Sequence, residues 1–152
     1  MRTAGNKLIM ATVFLLLFLF DGLLLAGEEK IVVIVNDSGP LTEISEVQIK
    51  DIYLGHLQFI KNLRIVPLHY RESGIKEAFL SRFLDTTSKE YRRYWISKSF
   101  QDGIIPPPSL DDFRQINANV KLLPGAIGYL PEAALKDAEG VRIIGSAIIK
   151  TP

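Results

Sequence analysis

The chain has 152 residues, 47% of them hydrophobic, which is enough for one domain with a substantial core. Its formal net charge is +1, so no basic excess favours nucleic acid or an anionic membrane as a partner. It has no cysteine, which excludes disulfides, thiol catalysis and a lipoprotein anchor, and its two histidines make a histidine-based metal site unexpected.

The first segment has the pattern of a secretory signal peptide. An almost wholly apolar run, residues 8–20, follows two basic residues. This run has about 13 residues, fewer than the roughly 20 that span a bilayer. We therefore predict a signal peptide at residues 1–26 and an exported domain at residues 27–152, with an uncleaved membrane anchor as the alternative.

The first predicted strand is the continuous β-branched run at residues 30–36, the pattern of a strand buried on both faces of a parallel sheet. The loop that follows contains Ser38 and Gly39, which could offer a hydroxyl group and backbone amides to a ligand. An ordinary turn is the simpler interpretation of this loop. The same loop is a possible second binding segment.

A helix with clear boundaries is predicted at residues 46–54. Ser45 and Gln48 have the spacing of a capping box, and Gly55 can end the helix in a left-handed conformation. The next predicted strand covers residues 65–70.

The main candidate site lies directly after that strand. A helix beginning at Ser73 would leave the amides of Gly74, Ile75 and Lys76 without partners inside the helix, and its dipole would add positive charge there. Arg71 could complete an anion site from the strand side, and Gly74 would let a ligand approach the backbone. The simpler interpretation is a strand-to-helix turn with a serine cap.

The second half of the chain continues with alternating elements. A helix capped by Ser88 is predicted to run to about Phe100, with Tyr91, Trp95 and Phe100 packed on one side and Arg92 in solvent. A proline-rich connection leads to a short helix, a turn into a strand, another helix and a last strand, at residues 110–119, 124–130, 131–139 and 141–144.

Alternating strands and helices predict an α/β domain on a mostly parallel sheet flanked by helices. Ligands of such sheets bind beyond the carboxyl ends of strands, which is where Arg71 and Ser73 fall. We find no nucleophile motif, catalytic pair or metal-ligand spacing in the sequence. An enzyme is therefore the least favoured class, and neither a cofactor nor a metal is expected.

Several phrases of the chain, taken in order, resemble the phosphate-binding proteins of periplasmic ABC transporters. They are Ile34-Val35-Asn36 with Pro40, Ile52-Tyr53-Leu54-Gly55, Ile65-Val66-Pro67-Leu68, Arg71-Glu72-Ser73-Gly74 with Phe79, and Pro124-Gly125-Ala126-Ile127-Gly128-Tyr129. The resemblance covers roughly residues 31–130. It implies the type II periplasmic binding protein fold, here as a single compact lobe.

The resemblance also implies particular site residues. Ser73 and Gly74 match the serine and glycine of the family's phosphate-binding motif, whereas Arg71 and Glu72 lie closer to the serine than in the family pattern. Ile75 replaces a threonine of that motif and would contribute only a backbone amide. The family's other phosphate-binding loop, near the mature N-terminus, has no counterpart in the sequence.

Together these features predict a periplasmic solute-binding domain that binds phosphate or a similar small oxyanion, for transport or sensing. The alternative is a structural module that has lost its ligand and docks on a membrane transporter or sensor subunit. A homodimer that rebuilds a two-sided site lies between them, because about 126 residues provide only one lobe's worth of chain.

Overall fold

The computed structural model describes residues 28–71 and 73–150. The predicted signal peptide and Glu72 lie outside the described residues. In chain order the elements are β1 Glu28–Asn36, α1 Glu46–Tyr53, β2 Phe59–Ile60, β3 Leu63–Arg64, β4 Val66–Pro67, β5 His69–Tyr70, α2 Ser73–Phe79, α3 Ser88–Asp102, β6 Ser109–Leu110, α4 Phe113–Leu122, β7 Ala126–Pro131 and β8 Val141–Lys150. A π-helical turn, Leu80–Leu84, continues α2, and a 3-10 helix, Glu132–Asp137, follows β7.

The main sheet has the strand order β4-β7-β1-β8. β1 runs antiparallel to both β7 and β8, whereas β4 runs parallel to β7 and β5 runs parallel to β6. The predicted α/β class is thus confirmed, but the sheet is mixed and not mostly parallel. The prediction failed on this detail because a continuous apolar run indicates burial on both faces and not the direction of neighbouring strands.

Both faces of β1 are covered, which gives the domain three layers. Ile31, Val33 and Val35 belong to a core shared with α1, α2 and α3, while Val32 and Ile34 belong to a second core shared with α4. All five side chains are fully buried. The β-branched run predicted as the first strand is therefore the centre of the sheet.

The predicted strand at residues 65–70 is one extended run that changes partners along its length. The N–H groups of Val66 and Leu68 donate to carbonyl groups in or next to β7. Those of His69 and Arg71 donate to carbonyl groups in or next to β6, on the other side of the run. The end of this run, from which α2 starts, is consequently held between two neighbouring segments.

The helix caps follow the local sequence closely. The capping box of Ser45 and Gln48 is present at the start of α1, as predicted. The cap of α3 is Thr87, one residue before the predicted Ser88. Tyr91 is buried as predicted, but Phe100 is 88% exposed, because the last turn of α3 extends along an open cleft and not against the core.

The C-terminal third differs from the prediction mainly in boundaries. α4 begins at Phe113 behind the cap Asp112, and Pro131 ends β7 where a helix start was expected. The helix after it is a 3-10 helix, and the last strand, Val141–Lys150, is longer than predicted.

Candidate functional site

Arg71 follows the end of β5 and makes its contacts with β6 and with Asp111, the residue after β6. Its backbone N–H donates to the carbonyl oxygen of Leu110 at 2.7 Å. Its Nε lies 2.8 Å from a carboxylate oxygen of Asp111, and both side chains are more than half exposed. Such exposed ion pairs contribute about 0–1 kcal/mol, so an anion in the cleft beside Arg71 could replace Asp111 at little cost.

The other residues of the predicted anion site lie at the start of α2. The helix begins at Ser73, as predicted. Gly74 is exposed, and the space where its side chain would lie is open to 4 Å. The Ile75 side chain packs against the larger core, so the only group that it could offer a ligand is its backbone amide.

An open cleft of about 840 Å³ lies beside this junction. Its polar lining includes the basic side chains of Arg71, Lys76 and Arg92 and the acidic side chain of Glu77. The remaining lining residues are His69, Ser88, Tyr91, Trp95, Ile96, Ser99, Phe100, Pro106, Pro107 and Ser109. With three basic residues and one acidic residue, the cleft has a net positive lining that suits an anion.

Lys76 and Arg92 are the two basic residues of the cleft that no acidic side chain neutralises through an ion pair in the described part of the chain. Burial lowers the pKa of Lys76, and the nearby charge of Arg92 lowers it further, against the opposing effect of Glu77. An anion between Lys76 and Arg92 would relieve this repulsion.

The carboxylate of Glu77 is already engaged with the start of α3. Its two oxygens accept from the backbone N–H of Ser88 at 3.1 and 3.3 Å. A carboxylate at this position is favourable because the first amides of a helix carry partial positive charge. Because the Glu77 carboxylate is hydrogen-bonded to the start of α3, it repels an incoming anion less strongly.

His69 forms the floor of the cleft and is 1% exposed. The Tyr91 hydroxyl donates to the carbonyl oxygen of Tyr53 at 2.7 Å, so it accepts from Nε2 of His69 at 2.8 Å. Nδ1 then accepts from the Tyr129 hydroxyl at 3.0 Å. This network fixes a neutral imidazole with its proton on Nε2, and burial together with the charge of Lys76 holds the pKa of His69 well below its usual range.

The possible second segment, Ser38 and Gly39, lies at the other end of the sheet. β1 runs antiparallel to β7 while β4 runs parallel to it, so the loop after β1 leaves the sheet where β4 begins. This loop contacts Asn36, Gly140 and Arg142, and none of its residues lines the cleft. The structure does not bring Ser38 and Gly39 together with Arg71.

His69 and Arg92 were not predicted as cleft residues, and Lys76 was predicted to contribute only its backbone amide. Arg92 was predicted to face solvent, and it is exposed, but the solvent on that side fills the cleft. The signal that could have found it is the spacing of four residues along α3 that links Ser88, Arg92, Ile96 and Phe100 on one face.

Two further properties concern the whole described part of the chain. Residues 28–71 and 73–150 contain no group of three or more histidine, aspartate and glutamate side chains that could hold a metal ion. Among the same residues, no helix has both the length and the apolar character that crossing a membrane requires.

No protein-family model matches the chain, and neither does any curated protein sequence. Solved structures do match. An ABC-type phosphate transport receptor from Vibrio cholerae aligns with 78% of this chain and 46% of its own at 15% identity and a TM-score of 0.59. PstS from Borrelia burgdorferi aligns with 78% of this chain and 47% of its own at 18% identity and a TM-score of 0.58.

A third match is a protein from Clostridium perfringens whose crystal structure contains bound phosphate. It aligns with 82% of this chain and 57% of its own at 20% identity and a TM-score of 0.55. The chain thus spans about half the length of the structures that it matches. The resemblance to the substrate-binding proteins of phosphate ABC transporters is confirmed at the level of the fold, as a single partial lobe.

Proposed function

We propose that this chain is an exported, periplasmic solute-binding domain that holds phosphate or a similar small oxyanion, for transport or sensing and without catalysis. The main observation behind the proposal is that Arg71, Lys76 and Arg92 line one cleft at the junction of β5 and α2. The fold shared with phosphate transport receptors agrees with this proposal.

In the proposed complex the anion lies between the side chains of Lys76 and Arg92. The side chain of Arg71 releases Asp111 and binds the anion instead. Of the predicted residues at the start of α2, Gly74 and Ile75 do not line the cleft, so the donors in this proposal are the side chains of Arg71, Lys76 and Arg92. Charge-assisted hydrogen bonds of this kind contribute about 1.5–3 kcal/mol each when they are shielded from water.

Calorimetric titration of the purified protein with phosphate and with sulfate tests the proposal. We expect heat with phosphate, and about tenfold weaker binding in both Arg71→Ala and Arg92→Ala, because each loses one charged donor. Arg93→Ala is the matched control, since Arg93 is exposed on the same helix but does not line the cleft. An absence of heat with both anions, or equal binding in all variants, would refute the proposal.

A second candidate is an interaction module that docks on a membrane transporter or sensor subunit without binding a ligand. Two observations favour it: the side chain of Arg71 is already paired with Asp111, and the chain spans about half the length of the receptors that it matches. Co-purification of a membrane partner that persists in Arg71→Ala and Ser73→Ala would support this role.

A further inference from the structure

The cleft is much larger than a single oxyanion requires. Its volume of about 840 Å³ falls within the roughly 300–1,000 Å³ of sites that bury drug-sized ligands. An inorganic anion between Lys76 and Arg92 would occupy only one part of this space, and the rest of the lining would stay in contact with water.

The chemical character of the lining changes along α3. Ser88, Arg92, Ile96 and Phe100 follow one another at intervals of four residues, so they lie in a row on the face that lines the cleft. The first two are polar or charged and the last two are apolar. Because a helix rises 1.5 Å per residue, Arg92 and Phe100 are separated by about 12 Å along the helix axis. The cleft therefore has a basic end and an apolar end.

Large apolar side chains at the apolar end of the cleft are exposed to water. Ile96 is 55% exposed and Phe100 is 88% exposed, although both are large apolar side chains. Pro106 and Pro107, from the extended segment after α3, line the same cleft, and buried Trp95 lies at its side. Exposed apolar side chains that share a cleft with charged residues are typical of a ligand-binding groove.

We propose that the ligand of this cleft is a small organic anion, a phosphate monoester or phosphonate whose apolar body lies against Ile96 and Phe100. The inference rests on the proposed function, because it takes the anionic group to bind between Lys76 and Arg92. Charge complementarity sets the orientation of the ligand: the acidic group enters the basic end, and the apolar body covers the apolar end.

A series of ligands that share the acidic group and differ in the apolar body tests this inference. The purified protein is titrated with inorganic phosphate, methyl phosphate and butyl phosphate, and the fluorescence of Trp95, the single tryptophan of the chain, reports binding. A fully buried methylene group tightens binding by about fourfold. Since the cleft is open and buries the chain only in part, we expect butyl phosphate to bind about tenfold more tightly than methyl phosphate.

Two matched variants test whether the apolar body of the ligand lies against Ile96. Ile96→Ser should reduce the preference for butyl phosphate over methyl phosphate, whereas Ile148→Ser should leave this preference unchanged, because Ile148 is a similarly exposed isoleucine on β8, outside the cleft. Thermal unfolding of each variant verifies that it is folded.

The possible outcomes separate the two proposals. Binding of phosphate with no gain for butyl phosphate would overturn the inference and leave the proposed function intact. A gain that persists in Ile96→Ser and in Phe100→Ser would also overturn it, since the apolar body would then bind elsewhere. No binding of any of the three anions would overturn both proposals.

Discussion

His69 lies beneath the cleft with both ring nitrogens hydrogen-bonded to tyrosine hydroxyl groups. Its partners, Tyr91 and Tyr129, are 22 and 60 residues away in the sequence. No local pattern around residue 69 could therefore have indicated this network, and the sequence offered only the expectation that two histidines were too few for a metal site. The network instead ties β5, β7 and α3 together through one neutral side chain.

The lowered pKa of His69 predicts that the protein loses stability in mild acid. The unfolded chain takes up a proton on this histidine below about pH 6.5, while the native state resists protonation until the pH is much lower. The stabilising effect is thus fully present above pH 6.5 and is lost as the pH falls towards the native pKa. The free energy of unfolding should decrease by roughly 1 kcal/mol per pH unit in that range.

Urea unfolding at pH 8, 7, 6 and 5 measures this dependence. A His69→Gln variant should be less stable at pH 8, because it loses ring contacts and part of the network, but its stability should fall less steeply below pH 6.5. His56→Gln is the control, since His56 lies on the surface in an exposed pair with Asp51. If the free energy of unfolding fell equally steeply with pH in the unmodified protein and in His69→Gln, His69 would not be the cause of the pH dependence.

At the level of the elements, the segment that leads into β7 packs very closely against the end of β3. A Cβ atom at Gly125 would overlap the carbonyl oxygen of Arg64, a backbone atom at the end of β3. By contrast, a Cβ atom at Gly74 would meet nothing within 4 Å. Gly125 is therefore needed for close packing, whereas the space around Gly74 would also accept a larger residue.

Gly125→Ala should accordingly destabilise the protein by about 2 kcal/mol or more, because the backbone of β3 or β7 must move to accept the methyl group. Gly74→Ala serves as the matched substitution and should leave stability unchanged or slightly higher, since alanine is the better helix former. Thermal unfolding of the two variants tests the pair. If both variants lost similar amounts of stability, the close approach at Gly125 would not be the cause of the loss.

The elements themselves were largely predictable because their signals are local. The capping box of Ser45 and Gln48 and the β-branched run at residues 30–36 each act within one element, and the structure confirms both. Strand direction and the partners of residues 65–70 depend on contacts between distant segments, so the α/β class was confirmed but the mixed strand directions were not predicted. The cleft was missed for the same reason, because Arg92 approaches Lys76 only after α3 has packed.

For the whole molecule, the described part of the chain supplies both the basic and the apolar lining of the cleft. Since one copy carries both kinds of lining, we expect a single chain to bind the anion without a second copy. Because the cleft is open, a bound anion remains partly in water and salt screens its attraction to the basic side chains.

We therefore expect light scattering to give the mass of one chain, with or without phosphate. We also expect phosphate to bind several-fold more weakly when sodium chloride is raised from about 20 mM to about 500 mM, since the Debye length then shortens from about 20 Å to about 4 Å. A mass that doubles when phosphate is added would indicate instead that a second copy closes over the cleft.

The loop that contains Ser38 and Gly39 and the junction at Arg71 leave the sheet at opposite ends. A macromolecule seated on the loop would consequently not obstruct an anion that enters the cleft. If the proposed ligand binds, a single chain should therefore hold the anion in the cleft and a partner on the loop at the same time.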